Sequence, residues 1–168
     1  MRKLTEMIKN ETNANFVNLR TALMTYNRNA PVCGSPAWRY AYHTIHSADK
    51  WYFNPNVFTE PSLQREACMD NPDIPCDVVL SDRELLDYLE QVRIKTMYYL
   101  DGLSDEQLYE YPESCPFMRL ELILRQFRHI SFHTGMLNGQ TAERTGRFPV
   151  YVSPNNLERL EKGYYDEG

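Results

Sequence analysis

The chain has 168 residues, of which 42% are hydrophobic and 24% charged, a composition typical of a globular protein. Its net charge of −5 at pH 7 argues against a general nucleic-acid binder, which would present a basic face. The length suits one domain, so we expect a single domain over residues 1–168. We place its core at about 4–138 and a C-terminal extension at 139–168.

The apolar segments and the cysteines of the chain indicate its location and the redox state of its thiols. The chain has no run of about 18 apolar residues, and its first residues, MRKLTEMIKNETNANF, lack the apolar stretch of a signal peptide. Its four cysteines are Cys33, Cys68, Cys76 and Cys115, and none forms a C-x-x-C pair, so a cysteine zinc site is not expected. We therefore predict a cytoplasmic protein with reduced thiols and no membrane partner.

The first two predicted helices follow from apolar spacing and from breakers. Apolar residues at three- and four-residue spacing predict a first helix over about 4–26, which ends before Pro31. The pair Ser35-Pro36 favours the start of a second helix, with the serine as N-cap and the proline at the first helical position. This helix should end near Phe53.

A long segment over 54–80 follows, with four prolines and an irregular appearance. Part of it, SLQREACM at 62–69, is a candidate short helix. A capping box from Ser81 to Glu84 then begins a third helix, which should end at Asp101-Gly102.

The fourth helix should run from near Pro116 to about Leu137, with Asn138-Gly139 as its C-cap. It is apolar on most sides, which indicates a central position. We therefore expect an all-α, up-down-down-up four-helix bundle with a long irregular crossover between the second and third helices. Residues 148–152 look extended, and a last short helix should follow them.

All four histidines fall in predicted helices, two on the second and two on the fourth. His129 and His133 are four residues apart, so their rings lie on one helical face and could hold two positions of one metal ion. A histidine of the second helix could supply a third ligand. The helical wheel slightly favours His46 over His43, because His46 lies nearer the apolar stripe.

Two known kinds of metal site do not fit this pair. The metalloprotease motif H-E-x-x-H needs a glutamate directly after the first histidine, where this chain has Ile130. A di-iron bundle site needs Glu-x-x-His pairs, and the residues three before His129 and His133 are Gln126 and Ile130. Three neutral histidines would leave open coordination positions, as in a catalytic site.

Two segments resemble those of a known family. Residues 38–45, WRYAYHTI, with Asp49 and Trp51 after them, resemble the second helix of the DinB-like superfamily. Residues 125–135, RQFRHISFHTG, resemble its fourth helix, and the order and lengths of the helices agree over about 1–140.

The resemblance implies a four-helix bundle, frequently a homodimer, that holds nickel or zinc. One histidine of the second helix and the H-x-x-x-H pair of the fourth would be the ligands. Motif matching places the first ligand at His43, eight residues before Trp51, and a shift of one turn would place it at His46. We take His43, His129 and His133 as the expected ligands and keep His46 as the alternative.

Some relatives are thiol-dependent transferases or isomerases that use low-molecular-weight thiols such as bacillithiol or mycothiol. We therefore expect a metal-dependent transferase or hydrolase acting on a small molecule, and transfer to a thiol is favoured because no general base is visible. Asp49 could orient a ligand, and Arg39, Lys50 and Arg128 could bind anionic groups. The alternative is a non-enzymatic, dimeric helical-bundle protein with a binding or stress-response role.

Overall fold

A computed structural model describes residues 3–166, and over this range the chain is mostly helical. Its longer helices and its small antiparallel sheet are, in chain order, α1 (Lys3–Thr25), β1 (Pro31–Val32), β2 (Ser35–Pro36), α2 (Ala37–Trp51), α3 (Asp82–Gly102) and α4 (Arg119–Thr145). Three short 3₁₀ helices are Pro55–Val57, Gln107–Tyr109 and Leu157–Lys162. The helical content agrees with the predicted class, whereas the sheet was not predicted. No helix within residues 3–166 is both long and apolar enough to cross a membrane.

The four long helices pack around one apolar core. Helices α1 and α2 each contact both α3 and α4. The largest fully buried side chains come from all four helices and from the segment between α2 and α3. Among them are Phe16, Leu19, Tyr42, Ile45, Met69, Leu85, Leu100, Leu122 and Ile123. The contact of α2 with α4 matters most for function, because the histidines lie on these two helices.

Helix α2 begins after a two-stranded hairpin, so the predicted N-cap at Ser35 is wrong. Ser35 pairs with Val32 in the sheet, and its hydroxyl donates to the carbonyl oxygen of Pro72. The turn consists of Cys33 and Gly34, with φ of 48° and 89°, as in the tight turns that match the twist of hairpins. The first helical residue is therefore Ala37.

Apolar spacing and a capping box located the starts of α1 and α3 well. Helix α1 begins and ends within one residue of its predicted bounds. The capping box of α3 is confirmed, because the Ser81 hydroxyl accepts from the Glu84 amide at 3.2 Å and the Ser81 amide donates to the Glu84 carboxylate at 2.7 Å. A similar pair between Ser104 and Gln107 precedes the short 3₁₀ helix Gln107–Tyr109.

The predicted C-cap of the fourth helix is wrong, since α4 continues past Gly139 to Thr145. Thr141 is fully buried and extends the inner face of the helix by one more turn. A glycine in an exposed helix interior costs only about 1 kcal/mol relative to alanine, so Gly139 need not end the helix. The helix ends instead at Gly146, whose φ of 69° is the left-handed conformation typical of a C-cap.

Residues 54–80 form the expected long crossover, but the predicted short helix at 62–69 is wrong. This segment forms separate turns, in which the amides of Met69 and Asn71 donate to the carbonyl oxygens of Glu66 and Cys68, three residues before them. The guanidinium of Arg39 donates to the carbonyl oxygens of Cys68, Asn71 and Ile74. Arg39 is 3% exposed, so these three hydrogen bonds are buried between α2 and the crossover.

Two asparagines of α1 tie the helix to distant parts of the chain. The Asn15 amide donates to the carbonyl oxygen of Phe127 on α4 at 2.9 Å. Asn18 donates to the carbonyl oxygen of Val152 and accepts from its amide, at 2.9 and 2.8 Å. The C-terminal extension therefore docks on α1, and it forms a bridge between Pro149 and Tyr165.

Candidate metal centre

Three histidine side chains meet where α2 packs against α4. His43 lies on α2, and His129 and His133 lie one turn apart on α4. The Nε2 atom of His129 is 3.0 Å from Nε2 of His43 and 3.1 Å from Nε2 of His133. The three rings are steeply inclined to one another, at 67° to 81°. One nitrogen of each ring therefore points into a common space.

The tautomer of His43 is fixed by the crossover. Its Nδ1 lies 2.7 Å from the backbone carbonyl oxygen of Asp70. A carbonyl oxygen only accepts, so Nδ1 carries a proton, and in that tautomer the lone pair of Nε2 is directed towards the other histidines. Such a contact on the opposite ring nitrogen is the usual partner of a metal-binding histidine.

The two histidines of α4 are held neutral. Burial, and next the neighbouring His43, lower the pKa of His129 to about 4. Burial, and next the neighbouring histidines, lower the pKa of His133 to about 3. Neutral imidazoles have a free lone pair at neutral pH, which is the form that binds a metal ion.

Hydrogen bonding alone does not satisfy these rings. A single N–H on His129 Nε2 can serve one of its two short contacts but not both. The Nδ1 atoms of His129 and His133 are buried and have no hydrogen-bond partner among the described residues. One divalent cation in the common space would accept all three Nε2 lone pairs, so the donor set fits a metal ion.

The distances between nitrogens also fit a transition metal. With metal–nitrogen bonds of about 2.0–2.1 Å, two ligands are about 2.9 Å apart at a right angle and about 3.3 Å apart at the tetrahedral angle. The observed separations of 3.0 and 3.1 Å lie between these values. These two separations, with all three ligand atoms within 4.8 Å of one another, allow His43, His129 and His133 to bind one ion.

His46 does not join this group. It is 3% exposed, and its Nε2 lies 2.6 Å from a carboxylate oxygen of Glu60 in the crossover. Its Nδ1 faces the Asp70 carboxylate at 3.9 Å. The structure thus brings His43, as matched by motif, to the histidine pair, and it gives His46 other partners.

Three residues that were expected to orient a ligand or to bind an anion have other partners. Asp49 does not orient a histidine of the cluster, because its carboxylate accepts from Tyr88 at 3.0 Å and from Lys95 at 2.6 Å. Arg39 is not available to an anion, because three carbonyl oxygens of the crossover occupy it. Lys50 lies over the Phe58 ring at 5.5 Å, in a different cleft.

Arg128 alone of the predicted cations lies beside the histidines. It lines an open surface pocket of about 570 Å³ that reaches His129, together with Arg125, Gln126 and Phe132. Arg125 is a further cation at this pocket, and no pattern in the sequence indicated it. A small molecule in this pocket would contact His129, one of the three histidines.

A second cluster of possible ligands lies in the crossover, where none was predicted. The thiols of Cys68 and Cys76 donate to the same carboxylate oxygen of Glu66, at 3.4 and 3.3 Å. Their spacing of eight residues in an irregular segment matches no zinc motif, so the sequence offered no signal for this grouping.

Comparison of the chain with models of protein families, with curated proteins and with solved structures found no match.

Proposed function

We propose that this chain is a DinB-like metal protein in which His43, His129 and His133 hold one divalent transition metal, nickel or zinc. The observation that carries the proposal is the convergence of three Nε2 atoms, two of them 3.0 and 3.1 Å from the third. The contact of His43 Nδ1 with the carbonyl oxygen of Asp70, which directs the Nε2 lone pair of His43 into this cluster, supports it further.

The proposed architecture is an up-down-down-up four-helix bundle. The contacts of α1 and α2 with both α3 and α4 support this arrangement. In such bundles, side chains on facing helices build the metal site, as His43 on α2 and the pair on α4 would do here.

We propose further that the metal serves a thiol-dependent transferase or a hydrolase acting on a small molecule. A bound divalent metal would lower the pKa of a water or of a small thiol and so supply a nucleophile near neutral pH. The chain contributes the neutral ligands, the carbonyl oxygen of Asp70 that orients His43, and the open pocket beside His129. Arg125 and Arg128 at this pocket favour a substrate with an anionic group.

Metal content tests the site directly. The untagged protein, purified without added metal, should hold one equivalent of nickel or zinc more than His129→Ala or His43→Ala. His46→Gln should keep the metal, because His46 bonds to Glu60 and lies outside the cluster. A protein that contains no metal, and whose melting temperature is unchanged by added nickel or zinc, would contradict the proposal.

Activity is tested separately, with the metal-loaded protein. It should transfer a small anionic thiol to a model electrophile faster than His129→Ala does under the same conditions. Arg128→Gln should raise KM for the thiol with little change in kcat, because Arg128 lies at the pocket but is not a ligand. Equal rates for wild type and His129→Ala would overturn the enzymatic role while leaving the metal site intact.

A homodimer also stays a prediction, and one surface supports it. An almost wholly apolar groove of about 210 Å³ lies between α1 and α4, and its lining includes Met7 and Leu124, each 55% exposed. Leu124→Glu should convert a dimer to a monomer in analytical ultracentrifugation. A wild-type protein that sediments as a monomer would contradict the prediction.

A further inference from the structure

The crossover between α2 and α3 gathers three acidic side chains at one point. Glu66, Cys68 and Cys76 each offer a ligand atom, and these atoms lie within 4.8 Å of one another. Both thiols donate to the same atom, Oε2 of Glu66, and both cysteines are free and half-buried. This group shares no residue with the histidine cluster.

We propose that Glu66, Cys68 and Cys76 form a second metal site, one that takes a thiophilic divalent cation such as Zn²⁺. Binding replaces the two thiol protons: each sulfur releases its proton to solvent and forms a bond to the ion. Two thiolates and one carboxylate leave a fourth position for water or for a small ligand. Thiolate ligands select zinc over magnesium and calcium, which prefer oxygen.

The geometry already approaches that of such a site. With a zinc–sulfur bond of about 2.3 Å and a zinc–oxygen bond of about 2.1 Å, a tetrahedral ion separates sulfur and oxygen by about 3.6 Å. The observed separations are 3.4 Å for Cys68 and 3.3 Å for Cys76. The two sulfur–oxygen distances therefore need to change by only a few tenths of an ångström. A disulfide would instead require both thiols to leave Glu66 and approach to about 2.05 Å.

The surrounding charge favours an anionic metal cluster. Arg39 lies under this segment, 3% exposed, and donates to the carbonyl oxygen of Cys68. Its other partners among the described residues are also carbonyl oxygens, so Arg39 forms no ion pair with a described carboxylate. A zinc ion with two thiolates and one carboxylate carries a net charge of −1, which would compensate the buried guanidinium.

Cobalt spectroscopy of the reduced full-length chain tests the site. Titration of the wild type with Co²⁺ under anaerobic conditions should produce a sulfur-to-cobalt charge-transfer band in the near ultraviolet, and Zn²⁺ should abolish it. The histidine cluster contains no sulfur and gives no such band, so the readout does not depend on the proposed function. The band should persist in His129→Ala/His133→Ala and vanish in Cys68→Ser/Cys76→Ser.

Stoichiometry provides a second measurement. In equilibrium dialysis the wild type should bind two zinc ions, and each of the two double variants should bind one. Zinc added to His129→Ala/His133→Ala should release two protons per ion in weak buffer. Cys33→Ser is the matched control, since Cys33 is an exposed thiol outside the cluster, and it should bind two ions.

Three results would overturn the proposal. The first is a wild-type protein without the charge-transfer band. The second is equal zinc binding by Cys68→Ser/Cys76→Ser and wild type, with equal helical content by circular dichroism. The third is a Cys68–Cys76 disulfide that forms in air as readily with excess zinc as without it, since bound zinc should protect both thiols.

Discussion

Nδ1 of His43 lies 2.7 Å from the carbonyl oxygen of Asp70, so the backbone of the crossover, and not a side chain, orients this histidine. The contact fixes the tautomer whose Nε2 lone pair faces His129 and His133. It also links the irregular segment at 54–80 to the candidate metal centre. Because the backbone oxygen of Asp70 makes the contact, the Asp70 carboxylate is not needed for it.

Asp70→Ala should therefore keep the metal. The substitution leaves the carbonyl oxygen in place and removes only the carboxylate, which accepts from Gln64 at 3.3 Å and faces His46. We expect the affinity for zinc to fall by less than the tenfold or more that is typical when the acceptor of a ligand histidine is lost. A chelator-competition titration measures it, and a hundredfold loss would show that the carboxylate itself supports the site.

Arg39→Met should have the opposite effect. It removes three hydrogen bonds to crossover carbonyl oxygens, which would lose their buried partner. We expect unfolding free energy to fall by about 2–4 kcal/mol and zinc affinity to fall about 10–100-fold, because Asp70 would no longer be held against His43. Urea unfolding and chelator competition measure the two effects. Arg83→Met is the control, because the Arg83 side chain is 90% exposed, and it should change neither.

The pH dependence of the metal-free protein follows from its neutral histidines. The pKa is about 4 for His129 and about 3 for His133, whereas the ordinary value is 6.5. The unfolded chain thus takes up protons below pH 6.5 that the folded chain does not, so stability falls as pH falls from 6.5 to about 4 for His129 and to about 3 for His133. After allowance for solvent screening, we expect a loss of about 1–2 kcal/mol between pH 6.5 and 5.

Urea unfolding in the presence of a chelator measures this loss at each pH. His129→Gln/His133→Gln is the control, because it removes both groups, and its stability should change less over the same window. Equal slopes for the two proteins would show that these histidines do not titrate differently in the folded and unfolded states.

Two glycines of α4 should respond to alanine with opposite signs. Gly139 lies in the exposed helix interior, where an added Cβ meets open space, so Gly139→Ala should stabilise the protein by about 0.5–1 kcal/mol. Gly146 has φ of 69°, so Gly146→Ala should destabilise it by about 1 kcal/mol. Denaturant unfolding compares both with the wild type, and equal signs would contradict the assigned C-cap.

Sequence patterns predicted those features of the fold that depend on neighbouring residues. Apolar spacing and the Ser81 capping box placed α1 and α3 within a residue or so, because both depend on neighbours in the sequence. The spacing of four placed His129 and His133 on one face for the same reason. The end of α4 was misjudged because the burial of Thr141, four residues beyond Leu137, depends on packing against other elements.

The crossover could not be predicted, and it misled the helical wheel of α2. The wheel favoured His46 because it assumed one buried face, whereas the crossover covers the outer side and α2 is buried nearly all round. His46 faces Glu60 of that segment. The path of the crossover depends on contacts between residues far apart in the sequence, such as Arg39 and Cys68. The spacing of apolar residues does not indicate such contacts. The pairing of Cys68 with Cys76 was hidden for the same reason.

The contact between Asn15 and Phe127 has a consequence for how α4 is set against α1. Apolar faces alone permit a helix to slide or turn by one residue, and a turn of about 100° would carry both histidines of α4 away from His43. Such a shift would break the hydrogen bond that the Asn15 amide donates to the carbonyl oxygen of Phe127, two residues before His129. One polar pair in the helix interface thus sets the register on which the alignment of the three imidazoles depends.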